Sequence, residues 1–154
     1  MKLSENFTLS EFTKSQTAER KGIDNNPSEV EIHAMKEVAQ NVLQPARDHF
    51  GPIIVTSGYR SPELNKAIGG SSTSQHRFGE AADIESIRVS NLKLAEWIRD
   101  NLEFDQLILE FVTPGDPTSG WVHVSYKSDG DNRKEVLTAK KVSGSVQYVY
   151  GLEI

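Results

Sequence analysis

Between Pro27 and Phe50 apolar residues recur at intervals of three and four, with Met35, Val38, Ala39, Val42, Leu43, Ala46 and Phe50 forming one stripe. That period predicts one long helix, its first turn carrying Ser28 and Glu29 and its stripe turned toward a core. Pro45 falls inside the pattern without a backbone donor, which predicts a kink or break near Leu43. Upstream, Phe7, Leu9 and Phe12 stand among polar residues. Residues 1–26 therefore read as an arm packed on the domain, with a short helical turn at Ser10-Glu11-Phe12.

The pattern then changes to short β-rich runs. Pro52-Ile53-Ile54-Val55-Thr56 predicts a buried strand after Gly51, and Ser61 to Ile68 a capped helix stopped by Gly69-Gly70. A strand is expected around Ala82-Asp83-Ile84, and a helix from about Asn91 to Asn101 through Leu92, Leu94, Ala95, Trp97 and Ile98. Gln106 to Phe111 and Trp121 to Tyr126 read as neighbouring strands joined by the Pro/Gly-rich loop Thr113 to Gly120. Glu135 to Lys140 and Val146 to Tyr150 complete the sheet. The expected class is α+β: a single domain over 1–154, a mainly antiparallel sheet, and the long N-terminal helix packed on it.

Composition narrows the function without deciding it. The 154 residues suffice for a core without disulfides or a structural metal, and a monomer is expected. A formal charge of -5 argues against a nucleic-acid binder, whose footprint would be basic. No cysteine is present, which excludes thiol catalysis and thiolate metal sites. The N-terminus lacks the apolar core of a signal peptide, and no segment approaches the length of a transmembrane span.

The candidate chemistry lies in Ser74-Gln75-His76-Arg77-Phe78-Gly79-Glu80-Ala81-Ala82-Asp83 and in Trp121-Val122-His123-Val124-Ser125. Two imidazoles and a carboxylate are an accepted donor set for a catalytic zinc, which typically takes three protein ligands and leaves a fourth position open. Gly79, Ala81 and Ala82 permit close backbone approach between the first two. Strand alternation puts Trp121, His123 and Ser125 on one face, with Val122 and Val124 on the other. Taken singly, each has a plainer role: His76 and Asp83 as a solvated surface pair, His123 as a hydrogen-bonded strand residue. His33 and His49 lie on the predicted long helix without a partner pattern. Lys127 to Lys134 lacks calcium-loop spacing and reads as a solvated hairpin turn.

Together with Thr56-Ser57-Gly58-Tyr59-Arg60-Ser61-Pro62, these motifs resemble the zinc D-Ala-D-Ala carboxypeptidase family, the M15 peptidases, whose metal site is shared with the hedgehog signalling domain. The likeness extends from about Phe7 to Tyr126 and is greatest to the small bacterial and phage branch. It implies Zn2+ held by His76, Asp83 and His123, with Arg60 receiving a substrate carboxylate or carbonyl and Ser74 beside the substrate backbone. Arginine's planar fork suits that task, although a structural salt bridge is its common alternative. Relatives often carry a Glu three positions, or a His two positions, before the last ligand. Here those places hold Gly120 and Trp121. Glu110, on the preceding strand, is the candidate general base and Asp116 in the loop its rival; Asp105 suits a brace or a turn.

The activity implied is hydrolysis of peptidoglycan stem peptides containing D-amino acids, as a carboxypeptidase or a cell-wall endopeptidase. The alternative is a zinc-containing module that binds the cell wall, or serves in a phage particle, without catalysis. Action at the cell wall in a phage lysis setting, as an endolysin, follows from the branch resemblance.

Overall fold

The computed structural model describes residues 1–154. Its frame is a six-stranded mixed sheet ordered β1-β2-β4-β3-β5-β6. The strands are β1 Ile53–Ser57, β2 Ala81–Ser86, β3 Gln106–Glu110, β4 Trp121–Ser125, β5 Glu135–Val142 and β6 Ser145–Tyr150. Neighbours are antiparallel except β3 and β5, which run parallel. The class is α+β.

The parallel pair corrects the hairpin expected at Lys127 to Lys134. β4 already occupies one edge of β3, so the chain after β4 crosses the end of β3 and returns along its other edge. Asp105 organises that crossing. It is fully buried, and it accepts from the Arg133 backbone at 3.1 Å and from the Arg133 guanidinium at 3.0 and 2.9 Å. A buried carboxylate needs such partners, because its desolvation is otherwise uncompensated.

Six α-helices accompany the sheet: α1 Leu9–Thr13, α2 Gln16–Lys21, α3 Glu29–Val38, α4 Gln44–Phe50, α5 Pro62–Ala67 and α6 Asn91–Asn101. The single long helix expected from the apolar stripe is instead α3, a π-helical turn over Ala39–Leu43, and α4. Pro45 explains the interruption. It has no N–H for a carbonyl four residues back, and its ring crowds that carbonyl. Widening the turn lets the Gln44 N–H reach the Ala39 carbonyl and leaves Pro45 in the first turn of α4, where no donor is needed. A capping box between Ser28 and Glu31 starts α3. Unpredicted α2 is short, opened by Ser15 accepting from the Ala18 N–H and closed by left-handed Gly22.

One face of the sheet carries Ala82, Ile84, Leu107, Leu109, Val122 and Val124, all buried in a cluster with Met35, Val38, Val42 and Leu43 and with Leu94 and Ile98 of α6. Leu3, Phe7 and Phe12 from the first residues join it. Each of the Leu, Ile, Val, Phe and Met side chains among them contributes about 1.5–3 kcal/mol when fully buried. Because side chains alternate, the residues between them project to the opposite face: Asp83, Gln106, Ile108, Glu110, Trp121 and His123. The core thus fixes which residues are left to meet a ligand.

Candidate active site

Asp83 and His123 are direct cross-strand partners on β2 and β4. His76 arrives from a separate 3₁₀ turn, Gln75–Phe78, that closes at Gly79 with φ of 74°. A Cβ at that glycine would stand 2.5 Å from the Glu31 carbonyl oxygen, so the turn can press against α3 only without a side chain. The turn is tied down by the Arg60 N–H, which donates to the His76 carbonyl at 3.1 Å. Asp83 Oδ1 lies 3.3 Å from His76 Nε2 and 3.0 Å from His123 Nδ1. The ligating atoms of the three residues all lie within 4.8 Å of one another.

The surroundings set the protonation states. His76 Nδ1 is 2.7 Å from the Gly58 carbonyl oxygen, which can only accept; Nδ1 therefore carries the proton and Nε2 presents its lone pair toward Asp83. Burial also pushes the His76 pKa down, favouring neutral imidazole. Burial alone would raise the Asp83 pKa, but a hydrogen bond from His123 and the closeness of the two imidazoles outweigh it and hold the carboxyl far below the usual range. Neutral imidazole and ionised carboxylate are the forms a divalent cation requires, and the donor set suits zinc.

The cluster opens into a cleft of about 710 Å³. On one side stands Arg60, whose guanidinium lies 3.5 Å from Asp83 Oδ2 and donates to Ser57 Oγ at 3.2 and 3.1 Å. A bulge in β1 between Val55 and Ser57 places that serine opposite Asp83. Ser74 lines the same side, immediately before the histidine turn. On the other side stands Glu110, whose Oε2 accepts from the Trp121 indole N–H at 2.7 Å. Burial raises the Glu110 pKa, with Asp83 adding to the effect and His123 opposing it. Gly120 cannot hold a base at the place where relatives carry one. Its φ is 67° and an added Cβ would collide with the Glu110 carbonyl. Asp116 is exposed on the loop, its carboxylate engaged by the Thr118 N–H and hydroxyl at 3.1 and 2.7 Å, and it does not line the cleft.

A family model described as Peptidase M15 matches residues 5–125. The chain belongs to the Peptidase M15 family. No curated protein matches it. M15 peptidases are zinc-dependent metallopeptidases, and the His76-Asp83-His123 group could bind a metal. No helix of this M15 chain is long and apolar enough to cross a membrane.

Several cleft residues of the M15 chain escaped the sequence reading: Phe78, Lys127, Arg133 and Tyr148. The Gln75 amide donates to Asp105 at 3.0 Å, so Asp105 braces the turn that carries His76 and not a histidine ring. Lys127 and Arg133 carry no local signal, because their place at the cleft depends on the crossing past the end of β3. Tyr148 belongs to β6 and was invisible until the strand order was known. Tyr59 is 4% exposed, a core residue. Of the remaining histidines, His33 is paired loosely with Glu37 at 3.8 Å, and His49 stacks on Trp97 at 4.6 Å.

Proposed function

We propose that this M15 chain is a zinc-dependent hydrolase of peptidoglycan peptides containing D-amino acids, acting as a D-Ala-D-Ala carboxypeptidase or a cell-wall endopeptidase. The observation that carries the reading is the meeting of His76, Asp83 and His123 in an open cleft, with Arg60 on one side and half-buried Glu110 on the other. Zinc held by those residues supplies Lewis acidity, lowering the pKa of water and polarising a carbonyl.

The chain's own groups supply the rest. Arg60 receives the substrate's terminal carboxylate or a carbonyl through its planar fork, which fixes the scissile bond over the cluster. Ser74 hydrogen-bonds the substrate backbone. Glu110 accepts a proton from the attacking water and delivers it to the leaving nitrogen as the C–N bond breaks. Its raised pKa suits a group that must both take and return a proton near neutrality. The Trp121 indole holds one carboxylate oxygen, which orients the other.

The test is release of amines and free D-alanine from purified peptidoglycan by zinc-loaded protein, with a chelated sample alongside. Free D-alanine identifies a carboxypeptidase, and new amines without it an endopeptidase. Binding of muropeptides with no product from zinc-replete protein would replace the proposal with the non-catalytic module.

A further inference from the structure

The β5–β6 hairpin lies beyond the span matched by the family model, which ends at Ser125. It nevertheless builds part of the cleft. The pairing register lines up Trp121, Glu110, Ala139 and Tyr148 across β4, β3, β5 and β6, and the next row lines up Asp83, His123, Ile108, Leu137 and Tyr150. Tyr148 and Tyr150 therefore share the face that carries the metal-binding group and Glu110. Tyr148 lines the cleft itself.

The hairpin's outer strand is sided in composition. Val146, Tyr148 and Tyr150 project on the cleft face, whereas Ser145, Gln147 and Val149 project on the other. The two tyrosines are 57% and 84% exposed, an open aromatic shelf and not a packed core. Tyrosine offers a flat apolar ring with a polar tip, the form used where a partner is partly apolar and partly wet. A shelf this open suits a flat partner lying on it; an aliphatic side chain would call for a pit.

Direction and distance indicate which part of a substrate arrives there. Arg60 stands at the β1–β2 end of the cleft, and the shelf lies at the β6 end. A peptide anchored by its terminal carboxylate on Arg60 sends its acyl side across β4 and β3 toward β6. From β4 to β6 there are three strand spacings, about 14 Å, which an extended peptide covers in about four residues. In a cell-wall stem peptide the sugar that bears the peptide follows after a run of that length.

We infer that Tyr148 and Tyr150 form a glycan subsite, on which a sugar ring of the peptidoglycan strand stacks while its stem peptide crosses the cleft. The inference rests on the cell-wall reading of the cleft, with Arg60 as carboxylate anchor. It adds a determinant outside the matched family span: the hairpin selects peptides still attached to glycan.

The experiment measures binding of peptide-free oligosaccharides of alternating N-acetylglucosamine and N-acetylmuramic acid to the zinc-loaded full chain, by NMR titration. Binding should shift the Tyr148 and Tyr150 ring resonances. The Tyr148→Ala/Tyr150→Ala variant should lose about tenfold or more in affinity, while Gln147→Ala, on the opposite face, binds as the parent does. Tm of each variant separates lost stacking from lost folding. Absence of binding, or binding indifferent to both tyrosines, overturns the subsite. So does concentration-dependent self-association that the double variant abolishes, which would make the shelf a contact between copies. The readout needs no turnover: tyrosine-dependent glycan binding without peptide cleavage would fail the peptidase reading alone, and cleavage without glycan binding would fail the subsite alone.

Discussion

The two faces of the β2–β4–β3 region differ although the same three short segments build both. Toward the helices they present Ala82, Ile84, Val122, Val124, Leu107 and Leu109, all buried. Toward the cleft they present Asp83, His123, Ile108 and Glu110. The core face sets strand register through burial, and a one-residue slip would exchange the two sets. The geometry of the metal-binding group is thus inherited from packing: His123 meets Asp83 because Val122 and Val124 must be inside.

The largest expected difference between the faces comes from Asp83→Ala. It should lower zinc affinity by more than about a hundredfold, beyond what loss of an outer partner causes, and abolish hydrolysis. Competition with a chelating dye measures the first effect and product release the second. Glu110→Gln should separate binding from chemistry, keeping zinc while turnover falls by about 10²–10⁴. A variant that turned over normally would remove Glu110 as the base.

Leu109→Ala, one residue from Glu110 but on the core face, should invert that result. It should cost about 2–5 kcal/mol in urea unfolding, because a fully buried leucine leaves a cavity. Zinc affinity of the folded fraction should stay near the parent's. Equal loss on both measures would show that the faces are not separable.

A smaller effect distinguishes the ends of the cleft face by pH. Burial tends to raise the Asp105 pKa, but hydrogen bonds from Arg133, and a weaker one from Gln75, hold it below the usual value. Its contribution is therefore present above the unfolded value near about 3.9 and is lost as pH falls through the folded value. In Arg133→Met the guanidinium is gone and burial is opposed only by the residue-133 backbone N–H and the Gln75 amide, so the folded pKa moves up from its lowered position. The stability that Asp105 contributes above the unfolded value therefore shrinks. Unfolding midpoints measured from pH 2 to 6 should show the parent gaining stability relative to the variant.

The same contrast explains what could be read from the chain. α6 and the strands holding Glu110 and His123 follow from local periodicity, and alternation alone assigns His123 and Val122 to opposite faces. The grouping of His76 with Asp83 and His123 came from motif resemblance, since nothing local shows that a 3₁₀ turn and two strands meet. The π-helical turn was legible only as trouble at Pro45; its resolution depends on keeping the apolar stripe of α3 and α4 in one core. The β3–β5 parallel pair, the Arg133 crossing and Tyr148 depend on strand order, which is a property of the whole sheet.

The most direct test of the account follows peptide hydrolysis as zinc is added to metal-free protein, with the imidazole nitrogen resonances recorded at each step. Activity should rise linearly and break at one equivalent per chain, as His76 Nε2 and His123 Nδ1 shift together. Activity that ignores zinc, or a first equivalent that leaves those two nitrogens unmoved, would contradict a metal centre built from His76, Asp83 and His123.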